Sequence, residues 1–279
     1  MTMQALARAG LVVGDSLIGA DPTNPDGHFE DVQTVRAHDA WLAAAGTDWR
    51  HAGPAPGVDP DEARRTIGAI AHRLDGQVRG SPGWGVKDPR ATLFVDAWLG
   101  ALPDLRVVFA YRHFAACADS LRRRQASELL RRPSTEEADL CFWTRPTLAL
   151  ESWLAHNRIA LAAAERHPER CAFVSQEGQL AGARAVGALE ALWGLGLDTA
   201  AETGVDASKS GRAERVELPD GAPHDELEAL WTALQGRALV RAPGAPEVLR
   251  HAVGDAPAGS GDGVPEALRA QWDRLGVAA

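Results

Sequence analysis

The chain has 279 residues, 45% hydrophobic and 24% charged, with a formal net charge of -9. That length carries a sizeable core, and the composition is ordinary for a globular protein. The acidic balance argues against a nucleic-acid or anionic-membrane surface. No run is long and apolar enough for a membrane span. The three cysteines, Cys117, Cys141 and Cys171, show no C-x-x-C spacing, which fits a reducing, cytoplasmic compartment.

Met1–Arg8 predicts a helix with no cap and no strand before it. Turn signals at Asn24-Pro25 and Asp26-Gly27 lead through GHFED, Gly27–Asp31, into a helix reaching about Ala45. Its core positions are Val32, Val35, Trp41 and Leu42. A Gly/Pro loop spans His51–Pro60. Asp61–Val78 predicts an amphipathic helix with Ile67, Ile70 and Leu74 on one face. Residues 83–124 predict a strand–helix–strand–helix unit. It comprises an apolar run into WGVKDPR (84–90), a helix over Ala91–Leu102, a strand over Leu105–Tyr111, and a helix carrying Ser120. Lys87, Asp88, Arg90 and Arg112 then fall at carboxyl ends of strands, the edge where open parallel sheets bind ligands.

Residues 135–166 predict helix broken near Pro146, with Ser134 as N-cap. Cys171–Glu177 predicts a strand, Ala183–Leu195 a helix, and 202–221 a polar loop. His224–Arg237 predicts a helix with Leu227, Leu230, Trp231 and Leu234 on one face. Trp98, Trp143, Trp153 and Trp231 read as core. Strands alternating with helices make this an α/β fold with a parallel sheet. We divide the chain into a single α/β domain, 1–240, and a Gly/Pro/Ala-rich tail, 241–279, with one weak helix at Pro265–Leu275.

Several residues suggest chemistry, each beside a plainer role. Arg112 at a strand end and Ser120 eight residues on suit a phosphate group, or are a surface arginine and an ordinary helix serine. Of 29 basic residues only Lys87 and Lys209 are lysine. A compact, rotatable ammonium is not replaceable by a guanidinium, so Lys87 either pairs with Asp88 or serves an anion in a cleft. Glu30 either supports the following helix N-terminus or acts as a general base, and His28 suits the same task. GDSL, Gly14–Leu17, is similar to the nucleophile block of a serine-hydrolase family, without that family's partner blocks. No metal-ligand spacing occurs among the nine His and three Cys.

Four blocks in order, NPDGHFED (24–31), WGVKDPR (84–90), LPDLRVVFAYRHFAACADSLRRR (102–124) and FVSQEGQLAG–LEALWGLGL (173–197), resemble the sulfotransferases that use 3′-phosphoadenosine 5′-phosphosulfate (PAPS). The likeness is to bacterial members and the tyrosylprotein type. It implies a P-loop-like three-layer sandwich with a parallel sheet flanked by helices. It implies that Arg112 and Ser120 hold the cofactor's 3′-phosphate and that Lys87 lies against the transferring sulfuryl group. Glu30 matches the tyrosylprotein type's proposed base, with His28 as the alternative. Lys209, Gly211 and Arg212 match a late loop on the same phosphate. The implied product is adenosine 3′,5′-bisphosphate, the acceptor a hydroxyl of a small molecule or peptide-like metabolite, and no metal, nucleic acid or membrane takes part. Two departures stand out. Gln176 replaces an aromatic residue near the adenine. The family's first strand and its G-x-x-R-S-G-T-S-like loop have no counterpart, because TMQALARAGL resembles the helix after that loop; the resemblance therefore implies that the first strand is missing and lies upstream. The alternatives are a catalytically silent nucleotide-binding module of the same fold and a hydrolase built on Ser16.

Overall fold

The computed structural model describes residues 1–20, 27–132, 134, 136–202 and 215–250. The helices are α1 (Thr2–Arg8), α2 (Val32–Ala44), α3 (Pro60–Asp75), α4 (Val95–Ala101), α5 (Phe114–Arg131), α6 (Glu137–Thr144), α7 (Leu148–Arg166), α8 (Gln176–Leu180), α9 (Ala185–Trp193) and α10 (His224–Arg237). The strands are β1 (Val107–Tyr111), β2 (Cys171–Ser175), β3 (Arg215–Leu218), β4 (Ala238–Val240) and β5 (Glu247–Arg250). Two 3-10 turns cover Pro89–Phe94 and Thr199–Ala201.

The main sheet is parallel, in the order β1-β2-β4. VVFAY pairs with CAFVS over five residues, from Val107↔Cys171 to Tyr111↔Ser175. β2 is buried along its whole length, as a parallel strand covered on both faces should be. Phe173 joins the core beneath α5, α7 and α10, with Phe114, Leu150, Trp153, Leu227, Trp231 and Leu234. Ala172 faces the other way, onto Leu6, Val186 and Leu189 of α1 and α9. β3 and β5 form a separate parallel pair.

α2, α3, α4 and the first 3-10 turn make a second core of Trp41, Leu42, Ile67, Ile70, Leu74, Phe94 and Trp98. α3 shows why the sequence folds this way. Asp59 accepts the Glu62 N–H at 2.8 Å, Pro60 opens the first turn, and Ala63, Ile67, Ile70 and Leu74 bury one stripe.

The structure departs from the sequence expectation at two strands. Trp84–Val86 is not a strand; Trp84 makes only an isolated parallel bridge to Val12. Gly83, Gly85 and Pro89 leave too short an uninterrupted run for a ladder. The third sheet strand is instead β4, three residues directly after α10, which the helical pattern before it conceals. β5 forms a strand beyond the boundary drawn at residue 240, and the helix expected at Pro265–Leu275 lies outside the described residues. No described helix is long and apolar enough to cross a membrane.

α8 follows β2 without a spacer, which drives it against the end of β4. A Cβ on Gly178 would lie 2.4 Å from the Arg241 carbonyl oxygen and 2.8 Å from Val240 Cγ1. Backbone cannot yield as a side-chain tip can, so this position requires glycine. We expect Gly178→Ala to cost about 1–3 kcal/mol, read as a lower thermal midpoint. An unchanged midpoint would remove this contact as a constraint on the sheet.

Candidate functional site

Glu30 is placed by backbone before its side chain does anything. Ile18 N–H donates to the Glu30 carbonyl at 2.8 Å and Val32 N–H to that of Ser16 at 2.9 Å, a short antiparallel clasp. Phe29, just before Glu30, has φ 55°, a left-handed conformation that side chains rarely adopt. Asp31, just after it, is fully buried and caps α2, accepting Thr34 N–H and Oγ1–H at 2.9 Å each. Its other oxygen takes Arg73 Nη2 at 2.6 Å. Glu30 therefore leaves the backbone at a strained, doubly anchored point.

Its carboxylate is buried and faces cations from the WGVKDPR segment. Lys87 Nζ donates to Glu30 Oε1, Arg90 Nη1 stands 3.8 Å from Oε2, and His28 Nδ1 stands 4.0 Å from Oε1. Three residues expected to carry chemistry, Glu30, Lys87 and His28, are thus brought together. The Lys87 side chain remains 39% exposed while that of Glu30 is 9% exposed, so the ammonium has freedom to turn and the carboxylate does not.

Asp88 does not pair with Lys87. Its Oδ1 accepts Arg90 N–H at 3.0 Å and Arg90 Nη1 at 2.8 Å, and its Oδ2 meets His38 Nδ1 at 2.7 Å. Burial alone raises the Asp88 carboxyl pKa; the His38 hydrogen bond and the Arg90 charge outweigh it and hold that pKa below the usual carboxylate range. Arg90 reaches on to Asp39 at 2.7 Å. Sequence reading missed His38 and Asp39. The available signal was His38 on the same face of α2 as Val35 and Leu42, a polar residue among core positions.

Arg112 and His113 stand at the carboxyl end of β1. Trp153 Nε1 donates to the Arg112 carbonyl at 2.9 Å. The charges of Arg123, Arg112 and Arg122 act on Asp119, the residue before the half-buried Ser120, although burial still pushes that carboxyl up. Glu177, one strand over, accepts His113 N–H at 2.9 Å and Ser175 Oγ–H at 2.9 Å. The start of α1 links the two clusters. Thr2 and Gln179 exchange hydrogen bonds at 3.2 and 3.0 Å, and a Cβ on Gly85 would sit 3.3 Å from Met3 Cε. Lys87's loop and the end of β2 are both neighbours of the first turn of α1.

Lys209, Gly211 and Arg212 lie outside the described residues. Ser16 is exposed, and Asp15 beside it meets Arg73 at 3.2 Å. A groove of about 350 Å³ runs between the start of α3 and α4, lined by Pro56, Val58, Leu93, Phe94 and Ile159 among others, and its lining includes none of Glu30, Lys87 or Arg112.

His113 is fully buried at this edge, and burial pushes it down to about 4. Its Nδ1 accepts the Ala115 N–H at 3.3 Å. Between an unfolded value near 6.5 and the folded value, the unfolded chain binds a proton that the folded chain does not, so stability falls as pH falls through that window. The full effect is on the order of 3 kcal/mol. His113→Asn keeps an acceptor for the helix start and should flatten the decline in urea midpoint between about pH 6.5 and pH 4; an unaltered slope would assign the decline to other groups, His156 among them. Compared with protein families, with curated proteins and with solved structures, the chain finds no match.

Proposed function

We propose that the protein is a cytoplasmic sulfotransferase of P-loop-like three-layer fold, moving a sulfuryl group from PAPS to a hydroxyl of a small-molecule or peptide-like acceptor. The observation that carries the reading is the meeting of a buried carboxylate, Glu30, and its near neighbour His28 with Lys87 and Arg90 from a segment nearly sixty residues away. The order of blocks that resembles the family supports it independently, as does the parallel sheet with Arg112 at its carboxyl edge.

The residues fit an anionic donor. Lys87 and Arg90 lie beside Glu30, with Arg90 also meeting Asp88 and Asp39, and the charges of Arg123, Arg112 and Arg122 reach Asp119, the residue before Ser120. The His113 amide at the start of α5 is taken by Glu177, so phosphate recognition there falls to side chains, Arg112 and Ser120 first. When bound, PAPS supplies the sulfuryl group and departs as adenosine 3′,5′-bisphosphate with the electron pair of the broken S–O bond.

Glu30 takes the proton of the acceptor hydroxyl as the new S–O bond forms, with His28 beside it as the alternative base. Lys87, half in solvent, turns from Glu30 toward the anionic oxygens and stabilises the charge that collects there. Positioning and fixed cations carry most of the rate in such transfers.

Glu30→Gln should lower sulfate transfer by about 10²–10⁴-fold and leave adenosine 3′,5′-bisphosphate binding intact by calorimetry. Retained turnover would move the base to His28. Arg112→Ala should weaken bisphosphate binding roughly tenfold to a hundredfold, the loss of a charged hydrogen bond; normal binding would place the phosphate site elsewhere. Bisphosphate binding without any turnover in the unaltered chain would favour a silent binding module of the same fold.

A further inference from the structure

His38 stands apart from the residues that meet at Glu30 and reaches them only through Asp88 and Arg90. It is completely buried on α2 and boxed by three aromatic rings: Trp41 at 5.6 Å, Phe94 stacked at 5.4 Å and Trp98 at 5.9 Å between centroids. Trp98 Nε1–H donates to His38 Nε2 at 2.9 Å. An indole nitrogen is a donor only, so Nε2 must offer its lone pair. The proton then sits on Nδ1, which donates to Asp88 Oδ2 at 2.7 Å. Trp98 therefore selects the tautomer, and the tautomer selects Asp88 as partner. With that oxygen held, Asp88 has Oδ1 left for Arg90, whose N–H and guanidinium it binds together. Pro89 keeps Asp88 extended, which sets the direction in which the preceding residue, Lys87, leaves the chain.

A polar ring in an aromatic box is costly unless satisfied, and a leucine would fill the space without that demand. We propose that His38 is a positioning residue: fixed by Trp98 as its Nδ1–H tautomer, it holds Asp88 and so keeps Lys87 against Glu30. It touches no reacting group and acts through Asp88. The inference rests on the Glu30–Lys87 contact taken as the site in the preceding subsection, but not on the transfer reaction.

The chain's two lysines make this measurable without an activity assay. Trinitrobenzenesulfonate labelling of the full chain, read by peptide mass spectrometry, reports Lys87 with Lys209 as internal reference. His38→Leu should raise the Lys87 to Lys209 ratio by about two- to fivefold, the range expected for releasing a partly exposed ion pair. His38→Asn, which places an amide N–H where the imidazole Nδ1–H was, should return the ratio close to the unaltered protein. Trp98→Phe keeps an aromatic wall but removes the tautomer-selecting donor, and should also raise the ratio. Circular dichroism establishes which variants fold, and if His38→Leu does not, Trp98→Phe decides. An unchanged ratio in the folded variants overturns the proposal, as does an equal rise in His38→Leu and His38→Asn. A failed sulfate-transfer assay with the expected labelling pattern would overturn the transferase reading alone.

Discussion

The Asp88 carboxylate lies where the helical core of α2, α3 and α4 meets the loop that carries Lys87, and both of its oxygens are committed. One faces inward to His38, the other outward to Arg90. Removing one member of a buried charged pair typically costs about 3–5 kcal/mol, because the survivor stays buried and unpaired. The loop therefore cannot relax independently of the core behind it. Arg90, drawn toward Asp88, Asp39 and Glu30 together, works as a spacer that keeps three carboxylates from repelling one another within a small volume.

The opposite half of the edge uses a different device. Parallel strands end with two helix starts side by side, α5 after β1 and α8 after β2. Glu177 spans them by taking the His113 amide and the Ser175 hydroxyl. A negative side chain at a helix start is favourable, so the protein supplies its own anion at the point most attractive to one. Beyond it the arginines of α5 are engaged locally, Arg123 with Asp119 at 2.7 Å and Arg122 over the Trp143 ring. The first turn of α1, wedged between Gly85 and Gln179, keeps both halves at one end of the molecule.

Much of this was legible locally. α3 announced itself through the regular apolar stripe of Ile67, Ile70 and Leu74, and the break before α7 through Pro146; the cap at Asp59 and the opening Pro60 fall within the expected loop. The meeting of Glu30 and Lys87 was legible only through the order of blocks, because nothing local in GHFED or WGVKDPR indicates a partner 57 positions away. His38 was not found: its partners Asp88 and Trp98 are remote in sequence, and a histidine within a helical apolar face looks the same whether it is satisfied or not. β4 was hidden because strand identity there comes from pairing with Phe173 and Val174, not from the three residues themselves. Trp84 failed in the other direction, since an apolar run between glycines suggested a strand that its spacing cannot sustain.

The sheet order has a consequence for how the chain reaches this state. Val107 finds Cys171, and Phe173 finds Ala238, each across roughly sixty residues of intervening chain. No two neighbouring strands of the main sheet are joined by a hairpin, so no part of it can zip up from a turn. Loop-closure entropy must be met twice before the sheet gains anything. The helices α5, α6 and α7 are the natural scaffold on which β1 and β2 meet, and the α2–α4 core, built from nearer neighbours, is free to assemble ahead of them. Arg112 therefore takes its place at the end of β1 only with that pairing, whereas Lys87, in a loop outside the sheet, is placed by Glu30.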